Sequence, residues 1–304
     1  MKKITKTILL FCLSLLVVFA GCTPEESKTN SNKEDKVVWN VNEDNDGILK
    51  ILTLGNSFSV DTMEYVASIA KSVGIERIKL GNLMTGGCSI NQHYAITTQD
   101  RRYAEYYEND GSGWIKTYNV LANEVLASEQ WDYVTIQPGT GDHSYHTREV
   151  SYKKLVPLIE HIKTIVPSTT KIAYNLTWVG EPYGGHFEMV EYEGDQRRLF
   201  LDILDMVNNV VLPLEEVDFI IPTGLAVQNL RTATKEVLTR DTYHLSFSGG
   251  RYLAGLTFFS KVTGMSLNDV VWTPEEVDEV FRELAKQAAS AAIEDPSKIT
   301  ELKK

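Results

Sequence analysis

Two short segments hold residue types that could do chemistry together. Gly55-Asn56-Ser57-Phe58-Ser59 places a serine directly after an apolar run, and Asp241-Thr242-Tyr243-His244 places a carboxylate three residues before an imidazole. A serine hydroxyl becomes a nucleophile only when a base within hydrogen-bond reach takes its proton, and that base needs a group to orient it. An Asp three residues ahead of a His supplies base and orienter from one loop turn. Each segment also has a purely structural reading. Ser and Asn after a strand commonly cap a helix N-terminus, and an isolated Asp-x-x-His is commonly a solvent-facing turn.

The elements around these segments decide what they can do. ILKILTL (48–54) reads as a strand, MEYVASIAKSVG (63–74) as a helix closed by Gly74, and RIKL (77–80) as a second strand. Three further strands follow: DYVTIQ (132–137), TKIAYNLTW (170–178) and VDFIIP (217–222). Helical patterns fill 120–129, 151–166 (with Pro157 marking a kink or a late start), 195–211, 246–264 and 273–292, the last opened by a Thr273/Glu276 capping box. Between 88 and 131 the texture is irregular, and Asp110-Gly111-Ser112-Gly113 predicts a surface hairpin. The alternation predicts an α/β domain over 47–295: a three-layer α/β/α sandwich around a flavodoxin-like, mostly parallel five-stranded sheet, followed by a polar tail, 296–304. In such sheets sites form where the strands end at their carboxyl side, and both segments fall there.

Together, GNSFS after the first strand and Asp-x-x-His before the final helices resemble the SGNH/GDSL hydrolase superfamily, and more narrowly its secreted, largely uncharacterised SGNH-type domains. The resemblance covers roughly 48–265. It implies Ser57 as nucleophile, His244 as base and Asp241 as its orienting carboxylate, with Asn56 in place of the usual Asp of the first block. It implies that the oxyanion is held by the backbone N–H groups of Ser57 and Gly87, the latter in Thr85-Gly86-Gly87-Cys88-Ser89. The family's third block, Gly-x-Asn-Asp, is not kept: the segment is Gln137-Pro138-Gly139-Thr140-Gly141-Asp142, with Gly141 where the donor Asn would stand. Gln137, with the same amide chemistry, is the candidate replacement. The implied reaction is two-step hydrolysis of an ester through an acyl-enzyme, with no metal or organic cofactor.

Other constellations compete. His143 and His146 beside Asp142 could hold zinc, although two His in one polar loop are more often solvent-facing. Glu181, Glu188, Glu191, Glu193 and Asp195 offer the paired carboxylates of a glycosidase, although an acidic loop is usually only solvated. Cys88 reads as a small buried residue rather than a nucleophile. Tyr103, Tyr106, Tyr107, Trp114, Trp178 and Tyr183 lie outside the helical patterns; some must be core, and others could stack on sugar rings.

The N-terminus reads as an export signal: Lys2, Lys3 and Lys6, then an apolar run from Ile8 to Ala20, then Ala20-Gly21-Cys22, which resembles a lipobox over 1–21 with Cys22 as the lipidated residue. Residues 22–46 are too polar to fold alone and read as a tether. The net charge of −11 becomes −14 once the three signal lysines are removed, which argues against nucleic acid as a ligand and leaves the lipid on Cys22 as the membrane contact. A small acyl group, acetyl above all, on a surface glycan is the expected substrate. The contrasting expectation is an inactive glycan-binding lipoprotein that keeps the fold.

Overall fold

The computed structural model describes residues 47–144 and 148–303. The expected signal, Cys22 and the tether lie outside the described residues, as does His146.

Seven strands form one sheet: β1 (Leu49–Gly55), β2 (Ile78–Met84), β3 (Arg102–Asn109), β4 (Trp114–Leu121), β5 (Tyr133–Ile136), β6 (Lys171–Asn175) and β7 (Phe219–Ile221), in the order β4-β3-β2-β1-β5-β6-β7. β2, β1, β5, β6 and β7 are parallel, and without β3 and β4 their order is the flavodoxin-like 2-1-3-4-5. β1 and β5 are buried along their whole length, as strands covered on both faces must be. The expected count of five omits the hairpin. β3 pairs antiparallel with β2 and extends the sheet at that edge, and β4 pairs antiparallel with β3. β4 is largely exposed, so it lacks the buried apolar face that announces a strand in sequence. The turn at 110–113 stands where expected, tied by Asn109 and Asp110 side chains accepting from Gly111 and Ser112 N–H groups.

Helices cover both faces. Ser57–Met63, Val66–Ser72, Thr223–Ala233, Gly249–Thr263 and Glu279–Glu294 pack together on one side, and Ile90–Thr98, Arg148–Tyr152 and Leu155–Lys163 on the other. This division follows from right-handed crossovers that leave β1 in opposite directions along the sheet. Pro157 is the third residue of its helix, a late start where a missing N–H costs nothing. The last helix begins at Glu279 with Asp278 as its cap, accepting from Phe281 N at 2.8 Å, so the Thr273/Glu276 box is not used. The C-terminal segment is more than a polar tail: Ile299 is buried, and the N–H groups of Thr300 and Leu302 donate to Asn229 and Thr232 on the helix Thr223–Ala233.

A buried chain of side chains joins the carboxyl ends of four strands. Thr223 Oγ1 donates to Asn175 Oδ1 (2.7 Å), Asn175 Nδ2 to Gln137 Oε1 (2.8 Å), and Gln137 Nε2 to Asn56 Oδ1 (3.0 Å). Asn56 Nδ2 then donates to the carbonyls of Cys88 (3.1 Å) and Pro138 (3.0 Å), while its Oδ1 caps Phe58 N–H. An Asp at 56 would set a carboxylate oxygen against two carbonyls. Asn56→Asp is therefore expected to cost about 3–5 kcal/mol of stability at neutral pH, because a buried charge is left facing acceptors. Protonation restores one donor, so the deficit against wild type in urea unfolding should shrink as pH falls. A deficit under about 1 kcal/mol at pH 7 would contradict this account of the chain.

Two histidines are buried away from solvent. His143 Nε2 meets Thr177 Oγ1 at 3.1 Å, and burial pushes its pKa down to about 4, as burial does for His93. A folded pKa below the unfolded value means that stability is complete above about pH 6.5 and declines as pH falls toward 4, where the unfolded chain alone takes up the proton. Each residue should contribute about 3 kcal/mol to that decline. Unfolding midpoints of wild type and His143→Gln between pH 7 and 4 should diverge, the variant showing the shallower loss; parallel curves would refute it.

Candidate active site

Ser57 is the first residue of the helix Ser57–Met63, entered from β1 through Asn56 in an extended conformation. The chain leaves the sheet beside the β1–β5 boundary, where the strand order reverses and no crossover covers the edge. His244 comes from a tight loop whose ends are closed by an antiparallel bridge between Thr239 and Leu245, with Arg240 N donating to the His244 carbonyl at 2.8 Å.

The structure brings the three sequence candidates into one line. Ser57 Oγ lies 2.8 Å from His244 Nε2, and His244 Nδ1 lies 2.8 Å from Asp241 Oδ2. Asp241 Oδ1 also accepts the His244 backbone N–H at 2.7 Å. Because an ionised carboxylate only accepts, Nδ1 carries the imidazole proton and Nε2 is left to accept from the serine hydroxyl. Burial opposes ionisation of Asp241, but the His244 N–H and imidazole outweigh it and hold the carboxyl below its usual range. The His244 side chain is 23% exposed and that of Asp241 51%, so the line opens to solvent.

Aromatic packing sets the rings. Phe58, next to the serine, stacks on Trp178 at 4.3 Å and meets Tyr243 edge-on at 4.8 Å. Trp178 Nε1 donates to the Tyr243 carbonyl at 2.9 Å, and Glu181 N to the Thr242 carbonyl at 2.7 Å. The segment after β6 thus clamps the His244 loop, in which Thr242 takes a φ of +71° that a β-branched residue rarely adopts. His186, absent from the sequence reading, stacks on Tyr243 at 4.0 Å, and burial lowers its pKa.

For the oxyanion, the N–H groups of Ser57 and Gly87 make no hydrogen bond among the described residues. Gly87 is exposed, with φ +63°, in the turn after β2. Gly139 presses on that turn: a Cβ there would stand 2.8 Å from the carbonyl oxygens of both Gly87 and Cys88. Gln137 does not fit the role given to it from sequence. Its side chain is fully buried, its Nε2 is held by Asn56 and its Oε1 by Asn175, so it faces the strand ends rather than the cleft.

The described members of the rival constellations are engaged in packing. Asp142 Oδ2 accepts from Ile90 N and Gly139 N, and no group of three or more metal-ligating side chains is assembled among the described residues. Glu181 pairs with Arg231 at 2.8 Å, Asp195 caps a helix, and Glu188 is buried, so the acidic stretch is more structural than solvated. Cys88 is buried, and burial first, then the Asp142 charge, pushes its thiol far up from reactivity. Tyr103, Tyr106 and Trp178 are core, whereas Tyr183 is 68% exposed beside the clamp.

Asn56 caps the helix, as its place after a strand allows, and it also ties the strand ends, which the sequence does not tell. Asp61, one helical turn after Ser57, escaped altogether: it is a fully buried carboxylate facing two arginines. An acidic residue four places after the serine, on the face turned to the core, is the signal that could have found it.

Among solved structures the chain is similar to two enzymes at low identity. One is an acetylxylan esterase from Geobacillus stearothermophilus, crystallised as a catalytic mutant (16% identity, TM-score 0.42, covering 70% of this chain and 94% of that one). The other is an α/β hydrolase enzyme from the metagenome of Lake Arreo, Spain (14%, 0.46, 70% and 94%). No curated protein matches the sequence. A crystal structure of a DUF4886 family protein from Bacteroides uniformis is similar at 30% identity with a TM-score of 0.78, over 84% of this chain and 98% of that one. The family model described as a domain of unknown function (DUF4886) matches residues 50–292, and the chain therefore belongs to the DUF4886 family.

Proposed function

We propose that the protein is a serine esterase of the SGNH type that removes a small acyl group, acetyl first, from a carbohydrate. The observation that carries this reading is the line Ser57–His244–Asp241, with both contacts at 2.8 Å at the reversal of strand order. His244 Nε2 takes the proton as Ser57 Oγ attacks the ester carbonyl, and the oxyanion falls to the N–H groups of Ser57 and Gly87. Collapse of the adduct expels the alcohol, which leaves with the proton from His244. Water, deprotonated by the same imidazole, then attacks the acyl-Ser57 and releases the acid. With the Gln137 amide committed elsewhere, no side chain seen among the described residues of the third block supplies the third donor that the SGNH resemblance implies, a difference worth about 3 kcal/mol of barrier.

Shape supports an extended substrate. Gly55, Met84, Glu105 and Tyr118 are consecutive partners across β1, β2, β3 and β4, a row of about 15 Å at the usual strand spacing. That row begins two residues before the nucleophile and ends at Tyr118, which is 63% exposed. Tyr118 on one flank and Tyr183 on the other offer rings to the apolar faces of sugars. An exported lipoprotein held by Cys22 would present this row to extracellular glycans.

A fluorophosphonate probe should label the wild-type protein once, with the added mass on Ser57, and should leave Ser57→Ala unlabelled. A wild type that takes up no label would instead favour a binding protein that keeps the fold, in line with the missing third donor. For the substrate, the wild type should release acetate from acetylated oligosaccharides. Turnover of p-nitrophenyl acetate without any oligosaccharide deacetylation would remove the glycan from the proposal.

A further inference from the structure

The loop that carries His244 is fastened to the helix that carries Ser57, and most of the fastening converges on one side chain. Asp61 stands one turn after Ser57 and has no exposed surface. Its Oδ2 accepts the backbone N–H of Leu245, the residue after His244, at 2.8 Å. Its Oδ1 accepts Nη1 of Arg240 at 2.9 Å and Nε of Arg251 at 2.8 Å. Arg240 Nη1 also donates to the Leu245 carbonyl. Both polar backbone groups of Leu245 are thus held by the same carboxylate, one directly and one through Arg240. Two outer ties run in parallel: Tyr65 Oη donates to the Phe247 carbonyl at 2.5 Å, and Arg251 Nη1 pairs with Glu64 at 3.2 Å.

Asp241 does a different job. Its two bonds to His244 lie inside the loop, so they orient the ring and choose its tautomer. They do not determine where the loop stands relative to Ser57, and Asp241 is itself half exposed. The bonds that cross from nucleophile helix to base loop are those of Asp61.

We propose that Asp61 is a positioning residue: it fixes the separation of Ser57 Oγ and His244 Nε2 by binding the base's loop to the nucleophile's own helix. The inference rests on the reading of Ser57 and His244 as nucleophile and base. The chemistry of the site singles out a carboxylate, since three donors converge on it and none is an acceptor. An amide in its place would turn an N–H toward either Leu245 N–H or a guanidinium, donor against donor. The loop would shift to relieve that contact, and a shift near 1 Å at a reacting pair costs about 100-fold in rate.

The test compares wild type, Asp61→Asn and Arg240→Gln in two readouts, each referred to folded protein by circular dichroism. The rate constant of fluorophosphonate labelling should fall about 100-fold in Asp61→Asn and about tenfold in Arg240→Gln, with KM for an ester substrate unchanged, because no substrate contact is touched. In NMR of the imidazole nitrogens, the His244 Nε2 resonance of Asp61→Asn should move to where Ser57→Ala puts it, while the Nδ1–H bonded to Asp241 keeps its shift. A role confined to stability would lower the amount of folded protein and leave both readouts per folded molecule at wild-type values, and that outcome overturns the proposal. Should Asp61→Asn not fold, Arg240→Gln carries the test, since the Arg240 side chain is 25% exposed. If wild type is not labelled at all, the nucleophile reading fails on that arm, and the Nε2 resonance still decides whether Asp61 sets the contact.

Discussion

Parallel strands that end side by side leave their last polar groups in a place where water is largely excluded, and the chain from Thr223 through Asn175 and Gln137 to Asn56 is how this protein satisfies them. Amides suit the position because each both donates and accepts, so one can hand a hydrogen bond to the next across four strands. Asn56 ends the chain, and there it meets a carbonyl from the turn after β2 and another from the turn after β5. It also caps the helix that begins with Ser57. The serine's position is therefore fixed relative to two neighbouring strand ends by a single side chain. An Asn where the resemblance leads one to expect Asp is the requirement of that geometry, since two of the groups facing Asn56 are acceptors.

How much of this was legible in the sequence follows from which forces leave a local pattern. The parallel strands were readable because they are buried on both faces and so are continuous apolar runs, as in β1. The hairpin of β3 and β4 was legible from its turn, but its place in the sheet was not, because only one side of it packs and tyrosines are mixed with charges, as in Arg102–Asn109. The pairing of Ser57 with Asp241 and His244 was legible through residue type and order, although nothing local says that positions 187 residues apart will meet. Gln137 was misread for an instructive reason. Sequence reports the amide but not its partners, and here both ends of the amide are taken up by Asn56 and Asn175. Asp61 was missed for the same reason: its spacing from Ser57 marks it as inward-facing, but its meaning comes from Arg240, Arg251 and the Leu245 backbone.

The site is held by two systems of different chemistry. Neutral amides place Ser57 from the sheet side, where a buried charge would need a partner that the strand ends do not offer. A carboxylate with two guanidiniums places His244 from the helix side, at the rim, where Arg240 and Arg251 keep part of their surface in water. The outcome is a serine and an imidazole each fixed to the same short helix, one by its cap and one by its second turn.

The segment from Gln137 to Asp142 has a consistent physical role of its own. Asp142 Oδ2 gathers Gly139 N–H and Ile90 N–H, and Ile90 opens the helix that follows the Gly87 turn. Gly139 closes against the carbonyls of Gly87 and Cys88 so tightly that no side chain fits between them. Asn56 adds a hydrogen bond to that same Cys88 carbonyl. Three independent contacts therefore hold the turn at Gly87 and Cys88, whose Gly87 N–H makes no hydrogen bond among the described residues. The segment from Gln137 to Asp142 thus serves to hold the turn that carries Gly87.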